Sequence, residues 1–228
     1  MNNKRHTKPY NAIFLFLILS FLASAACRHI NTGGLGVESP AVDIKRIAII
    51  GFKPSVYQGG ESYETTSETS LLEKSYYMTS MLFEAFRGHE GYELVSPESV
   101  RETGARIDAS EPGLGNDEIA VRIARELQAD AALMGYLYRW KDREGSDYAI
   151  RNPASVFFDL RMVGAEKGSI LWEGRFNKTQ RSLNENLLDI KTFLKGKGKW
   201  MTAEALAEVG LKDLADDLFL FIEKGAGN

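Results

Sequence analysis

The side chains that could take part in chemistry are few in this sequence, and they lie far apart. Cys27 is the only cysteine among 228 residues, and besides His6 in the basic leader the histidines are His29 and His89. A zinc site takes several Cys or His ligands at close spacing. None of the motifs His-Glu-x-x-His, Gly-x-x-x-x-Gly-Lys-Ser or Gly-x-Ser-x-Gly is present. The residues therefore predict no catalytic group, no metal site and no cofactor.

Several charged and aromatic groups each admit two interpretations. Asp216 and Asp217 are adjacent, and adjacent residues of a helix do not face each other, so we expect solvated charges. The segment Lys195 to Lys199 alternates lysine with glycine, which favours a flexible basic loop, with anion binding as the alternative. Aromatic residues at helical spacing favour core packing over a ligand box, and they are Tyr76, Tyr77, Phe83 and Phe86. The three tryptophans are expected in the core or at its rim, or else as interface anchors: Trp140, Trp172 and Trp200.

The amino-terminal segment has the layout of a secretory signal. A leader with three basic residues precedes the apolar run Ala12 to Ala26, which ends in small residues before Cys27. A membrane-spanning helix needs about 20 apolar residues. This run is shorter and is interrupted by Ser20 and Ser24, so it suits the apolar core of a cleaved signal peptide. The predicted signal peptide covers residues 1–26.

The end of this run resembles the lipobox of bacterial lipoproteins, in which the cysteine becomes the lipidated first residue. The resemblance implies that Cys27 carries a diacylglyceride and an amide-linked acyl chain such as palmitate, which together anchor a protein stably. Ser24 departs from the usual Leu, and ordinary cleavage after Ala25 would leave an unlipidated chain. A buried structural cysteine is a third interpretation. Because Arg28 and not Asp follows Cys27, the resemblance implies the periplasmic face of the outer membrane in a Gram-negative cell.

Composition limits the class of partner. The leader holds three of the 28 Lys and Arg residues and none of the 31 Asp and Glu residues, so the mature chain has 28 − 3 = 25 cations and a charge of 25 − 31 = −6. Nucleic acid and anionic lipid both attract basic surfaces, so this mildly acidic chain is predicted to bind neither by charge. A polar, Gly-rich tether is predicted at residues 27–43 and a single domain at residues 44–228.

The hydrophobic pattern predicts alternating strands and helices in this domain. Lys45–Phe52 is expected to be a buried strand, and Lys53–Thr69 a long polar loop. Ser70 to Glu73 fits a capping box that opens a helix to Gly88, with Leu71, Leu72 and Tyr76 on its apolar stripe. Two further strands are expected at Tyr92–Val95 and Ala131–Trp140. Between them we expect a helix capped by Ser96, a loop at Gly104–Gly115 and a helix capped by Asn116. Two more helices are expected after the hairpin, at Asn184–Lys195 and from Thr202 to about Lys224.

A β-hairpin is the strongest strand signal. Residues alternate between apolar and charged in Ala154–Val163 and Ser169–Asn177, with a Gly-flanked turn between them. On the returning strand, Ile170, Trp172 and Phe176 are predicted to share the core-facing side.

Three stretches resemble envelope lipoproteins, and they are RIAIIGF, ELQADAALMGYLYRW and FFDLRMVGAEKGSILWEGRF. The pattern is similar to the group that includes the curli-secretion lipoprotein and the amino-terminal domain of TolB. The tail, KTQRSLNENLL followed by WMTAEALA, is closer to a family of uncharacterised proteobacterial lipoproteins. The implied fold is an α/β (α+β) sandwich of two or three layers, with a mixed sheet of about five strands that ends in the hairpin and is packed by helices. The sequence has no long alternating apolar segments that could insert into a membrane. The resemblance therefore does not imply that this chain forms a pore.

These observations predict a non-enzymatic, lipid-anchored component of the cell envelope that binds another envelope protein. A cell-wall glycan-acting enzyme and an auxiliary lipoprotein of an envelope transporter are the alternatives. Loops carry binding residues more often than the elements they join. The long polar loop is therefore the predicted partner site, with Tyr57, Gln58, Tyr63 and Glu64 as contact residues, and a loop without a role is the alternative.

Overall fold

The computed structural model describes residues 43–55, 68–87, 89, 91–146, 150–180 and 200–226. All of them fall in one compact unit. The strands are β1 Arg46–Pro54, β2 Glu93–Leu94, β3 Ala131–Lys141, β4 Glu144–Gly145, β5 Ile150–Asn152, β6 Ser155–Gly164 and β7 Ile170–Thr179. The helices of the described residues are α1 Glu68–Arg87, α2 Pro97–Ser110, α3 Asn116–Glu126 and α4 Ala203–Ala226.

Five strands form one mixed sheet in the order β2-β1-β3-β6-β7. β1 runs parallel to both of its neighbours, whereas β3, β6 and β7 pair in antiparallel fashion. The short strands β4 and β5 pair with each other as a separate two-stranded sheet. The predicted mixed sheet with a terminal hairpin is therefore confirmed.

Helices cover both faces of the sheet, which gives three layers. The larger core lies between the sheet and helices α1 and α4, and it contains Met78, Leu82, Phe158 and Leu218. A smaller core joins the other face to α2 and α3. Both cores form because alternate residues of a strand point to opposite faces. In β3, Leu133 belongs to the larger core and Met134 to the smaller one.

Helix α1 starts two residues before the predicted capping box and turns a different stripe inward. Its buried positions include Leu71, Ser75 and Met78, whereas Leu72 is 42% and Tyr76 is 66% exposed. The prediction of Leu72 and Tyr76 on the core stripe is therefore wrong. The Ser75 hydroxyl donates to the Leu71 carbonyl at 2.8 Å. This hydrogen bond within the helix satisfies the hydroxyl, so Ser75 can be buried in the core.

Helix α2 runs on through the segment predicted to be a loop. Ser96 caps it as expected, because the Ser99 N–H donates to the Ser96 hydroxyl at 3.1 Å. The helix ends at Ser110, however, so Gly104 lies inside it. A Cβ at Gly104 would lie 3.2 Å from Ile123 Cδ1, which shows that this glycine faces α3 at close range. At α3, the cap is Gly115 and not Asn116.

The hairpin places Trp172 in the larger core, as predicted, with 7% of its surface exposed. Ile170 is 36% exposed instead, and that part of the prediction is wrong. Met162 pairs with Trp172 and Val163 with Ile170, so the strand register shifts at this point. Leu171 joins the larger core as a result. A β-bulge of this kind reverses the alternation that the sequence displays.

The final helix matches its prediction. Thr202 caps α4, because the Ala205 N–H donates to the Thr202 hydroxyl at 3.2 Å. The inward residues agree with the expected ones and include Leu206, Leu211, Leu214 and Leu218. The tether, the helix predicted at Asn184–Lys195 and the glycine-lysine segment Lys195–Lys199 lie outside the described residues.

Candidate functional site

A groove of about 490 Å³ runs between helices α1 and α4 on the outer side of the larger core. Its floor is apolar and is formed by Met81, Ala85, Leu211, Ala215 and Phe219. Its rim is polar and is formed by Tyr77, Ser80 and Glu84 on α1 and by Glu208, Lys212 and Asp216 on α4. His89 closes one end.

The groove follows from a second stripe on each helix. Tyr77, Met81 and Ala85 are spaced four residues apart on α1, beside the stripe that packs on the sheet. Leu211, Ala215 and Phe219 have the same spacing on α4. Residues at this spacing lie above one another on a helix, so the two stripes face each other across the groove. The small side chains of Ala85 and Ala215 leave space that larger residues would fill.

The exposed rim carries more negative than positive charge. On α4, Lys212 forms an ion pair with Asp216 at 3.0 Å. On α1, Glu84 forms an ion pair with Arg87 at 3.1 Å. The lining residues include three acids and one lysine, and with Arg87 on Glu84 the rim holds three acids against two cations. Such exposed pairs contribute less than about 1 kcal/mol each to stability, so they can exchange partners at little cost.

Aromatic rings fill the His89 end of the groove. The imidazole of His89 stacks on Phe219 with ring centres 3.5 Å apart, and Phe86 contacts the same ring at 4.7 Å. Tyr92 stacks near Phe219 at 5.9 Å, and burial together with the nearby Glu223 carboxylate raises the pKa of its phenol. Among the described residues, His89 therefore serves as a packing surface for Phe219.

Tyr77 marks the opposite end of the groove and is 43% exposed. Its ring meets Trp140 edge-on at 6.2 Å, and Lys74 lies over the Trp140 indole at 5.1 Å. Lys74 also forms an ion pair with Glu204 at 3.1 Å, which joins α1 to the start of α4. Burial alone would raise the pKa of the Glu204 carboxyl, but hydrogen bonds from its own backbone N–H and from Lys74 hold it below its usual value.

The face of the sheet around β6 carries a second polar cluster, centred on Asp159. This carboxylate is fully buried, and it accepts hydrogen bonds from Arg175 at 2.7 and 2.9 Å and from the Tyr138 hydroxyl at 3.1 Å. Burial and the Asp159 charge raise the pKa of the Tyr138 phenol. Because Arg175 and Tyr138 occupy the oxygens of this buried carboxylate, we assign Asp159 to the structure of the sheet.

A neighbouring network extends from this cluster toward α3. Arg161 donates to Glu173 at 3.2 Å and lies over the Tyr136 ring at 5.4 Å. The Tyr136 hydroxyl donates to Asp117 at 3.1 Å. Burial, with a further contribution from Asp117, raises the pKa of Tyr136 to about 12. These groups link β3, β6, β7 and α3, so we assign them to the stability of the sheet.

Two kinds of feature are absent from the part of the chain that the structure describes. No three His, Cys, Asp or Glu side chains of residues 43–55, 68–87, 89, 91–146, 150–180 and 200–226 come together as a metal site. In the same residues, no helix is both long and apolar enough to cross a membrane.

The predicted contact residues Tyr57, Gln58, Tyr63 and Glu64 lie outside the described residues, as does Cys27. β1 runs parallel to β3 and ends at Pro54, which pairs with Leu137. The loop therefore leaves the same edge of the sheet at which β3 reaches Trp140. The groove itself was not predicted. The four-residue spacings of Tyr77, Met81 and Ala85 and of Leu211, Ala215 and Phe219 are sequence signals for it, but they indicate a groove only once α4 is known to pack beside α1.

No protein-family model and no curated protein matches this chain. Solved structures with a similar arrangement of elements include the C-terminal domain of LpoB from Salmonella enterica. It is 15% identical, has a TM-score of 0.39, and the match covers 76% of this chain and 100% of that domain. The PelC dodecamer from Paraburkholderia phytofirmans is 12% identical with a TM-score of 0.40, covering 76% of this chain and 86% of that one.

The lipoprotein GNA1162 from Neisseria meningitidis is also similar. It is 18% identical with a TM-score of 0.37, and the match covers 65% of this chain and 90% of that one. At such scores and identities these structures resemble the chain in the layout of helices and strands only. The grouping with the curli-secretion lipoprotein and TolB stays a prediction.

Proposed function

We propose that this chain is a lipid-anchored lipoprotein of the outer membrane that binds another envelope protein and catalyses no reaction. The observation that carries the proposal is the groove between α1 and α4, which has an apolar floor, a charged rim and an exposed tyrosine at its mouth. An apolar centre with a polar rim and an aromatic anchor is the usual anatomy of a protein-binding surface.

The leader and Cys27 support the location. A thioether-linked diacylglyceride and an amide-linked acyl chain would hold the domain at the membrane through the tether. The polar loop at Lys53–Thr69 would extend the same binding surface, because β1 delivers it to the edge where Tyr77 and Trp140 lie. Tyr57, Gln58, Tyr63 and Glu64 are then secondary contacts beside the groove.

The test compares two neighbouring tyrosines by photo-crosslinking in living cells. Tyr77 lines the groove, whereas Tyr76 is more exposed but lies on the other flank of α1. A photoreactive phenylalanine analogue in place of Tyr77, in the full-length lipoprotein, should form an adduct with an envelope protein. The same analogue in place of Tyr76 is the matched control and should form little of that adduct.

Two results would contradict the proposal. Equal adducts from the two positions would show collisions without a defined site, and no adduct from Tyr77 would remove the groove as the binding surface. Release of soluble fragments when the purified full-length protein is incubated with cell-wall glycan would favour the enzyme alternative. If the crosslinked partner is a transporter subunit, the binding function is that of an auxiliary lipoprotein of an envelope transporter.

A further inference from the structure

We infer that the groove binds an α-helix of its partner, and that this helix is apolar on one face and carries Lys or Arg on its flanks. This inference rests on the proposed function, because it specifies the chemistry of the partner at the same site. Three features of the groove support it: its shape, the backbone groups that line it and the charge of its rim.

The dimensions fit a short stretch of helix. Each lining stripe covers two intervals of four residues, and at about 1.5 Å rise per residue it extends for about 12 Å. Two turns of a partner helix cover roughly the same distance. Ala215 lies in the middle of the α4 stripe, whereas Ala85 ends the α1 stripe next to Phe86, which contacts Phe219. These two small side chains leave room for a third helix to approach α1 and α4.

The walls of the groove offer no backbone hydrogen bonds to a ligand. Residues Tyr77 to Ala85 and Glu208 to Phe219 lie inside helices, whose backbone N–H and C=O groups are already paired within each helix. An extended segment on the apolar floor would bury its own backbone groups without partners, which is unfavourable for each unpaired group. A helix satisfies these groups internally, so it is the backbone conformation that this groove favours.

The rim selects the charge of the occupant. Glu208 and Asp216 lie eight residues apart on α4, on either side of Lys212, and Glu84 faces them from α1. A helix with basic residues on its flanks could pair with Glu208 and, by exchange with Arg87 and Lys212, with Glu84 and Asp216, while its apolar face covers the floor. An acidic helix would meet repulsion from the same groups, and an anionic membrane surface would as well.

A second copy of this chain is a poor occupant. The described helices carry acidic residues among the basic ones on their exposed sides, for example Glu98 and Glu102 beside Arg101 on α2, and Glu126 beside Arg125 on α3. None of these four helices therefore presents the uniformly basic flanks that the rim would attract. The occupant we infer belongs to a different protein, and an intramolecular adduct with the predicted helix Asn184–Lys195, which lies outside the described residues, would overturn this inference.

The experiment adds charge reversal to the crosslinking at Tyr77. Glu208→Lys combined with Asp216→Lys should reduce the Tyr77 adduct about tenfold, because two attractive contacts become repulsive. The matched control, Glu102→Lys with Asp108→Lys, makes the same change of charge on α2, on the other face of the sheet, and should leave the adduct unchanged. Both acids of each pair are exposed, and thermal unfolding of each purified full-length variant verifies that the domain stays folded.

The crosslinked segment of the partner tests the helix directly. Mass spectrometry of the adduct should identify a segment with apolar residues at helical spacing and Lys or Arg beside them. In that segment, a Pro substitution at a solvent-facing position should abolish the adduct, because it breaks a helix. Ala at the same position should preserve the adduct.

Failure of this inference is distinguishable from failure of the proposed function. An adduct that survives the Glu208 and Asp216 reversal, or that tolerates Pro, overturns the basic helix while a binding function stands. An adduct with a second copy of this chain also overturns it. The absence of any adduct from Tyr77 overturns both.

Discussion

Trp172 links the hairpin to α4 at the scale of single residues. Its indole lies over Gly174, where an added Cβ would come within 2.4 Å of the ring, and its N–H donates to Asp217 at 3.3 Å. Only 7% of its surface is exposed. Loss of a buried tryptophan leaves a cavity that the backbone around it fills poorly.

Trp172→Ala should therefore lower the free energy of unfolding by about 3–5 kcal/mol, measured by urea denaturation. Trp172→Phe is the matched control, because it keeps an aromatic ring in the core and loses the contact with Asp217. It should cost clearly less than the alanine variant. A loss below about 1 kcal/mol for Trp172→Ala would contradict the burial of this side chain.

Tyr136 should make stability depend on alkaline pH. Its pKa in the folded protein is about 12, above the ordinary value of about 10. Folding therefore favours the neutral phenol, so its contribution is fully present below the unfolded pKa and is lost as pH rises through the folded pKa. Stability should fall between about pH 10 and 12.

The measurement is thermal unfolding across this pH range for the wild type and for Tyr136→Phe, which cannot ionise at that position. The variant should lose less stability than the wild type over the interval. Identical pH dependence of the two proteins would show that the Tyr136 phenol ionises equally easily in the folded and unfolded chain.

Residue burial in the hairpin was predictable only as far as the strand stays regular. Alternation placed Trp172 on the core side, and it is buried. It failed at Ile170, because the register shift between Met162 and Val163 brings Leu171 into the core instead. A bulge adds one residue to one strand, and both Ile170 and Leu171 are apolar, so the pattern contains no sign of it.

Gly104 shows the same limit at the scale of elements. Glycine is a poor helix former, so the sequence favoured a helix end there. The helix continues because its following turn places Ile107 in the smaller core, and packing outweighs the local preference. The close approach of Ile123 to Gly104 is a contact between two helices, and a single segment does not reveal it.

Gly104→Ala should stabilise the domain by about 0.5–1 kcal/mol, because alanine has the higher helix propensity. The only crowded neighbour is the Cδ1 end of Ile123 at 3.2 Å, and this flexible end can move by a few tenths of an ångström. Gly113→Ala is the contrasting variant, because Gly113 has a φ of +98° that alanine adopts with strain.

Urea denaturation of the two variants should therefore show opposite signs. Gly113→Ala should lower the free energy of unfolding even though its Cβ would meet no atom within 4 Å. Destabilisation by Gly104→Ala would mean that Ile123 is held rigidly and that the contact between α2 and α3 depends on glycine.

At the scale of the whole molecule, the order of elements was predictable and the groove was not. Strand and helix signals are local, so most element positions and the mixed sheet could be inferred before the structure. The groove requires α1 and α4, which are far apart in sequence, to lie side by side, and the Lys74–Glu204 ion pair that joins them has no local signal. Long-range contacts of this kind arise from the packing of the complete core.

Anchoring is the remaining property of the whole molecule, and it depends on Cys27. If the thiol carries the diacylglyceride, Cys27→Ala should abolish labelling by a radioactive or clickable fatty acid and leave the precursor uncleaved by the lipoprotein peptidase. The folded domain should keep its unfolding midpoint, because its two cores are built from residues between Ile44 and Ile222. Ser24→Leu restores the usual lipobox residue and should label at least as well as the wild type. Absence of label from both the wild type and Ser24→Leu, with cleavage after Ala25 found by mass spectrometry, would instead show a secreted chain without a lipid anchor.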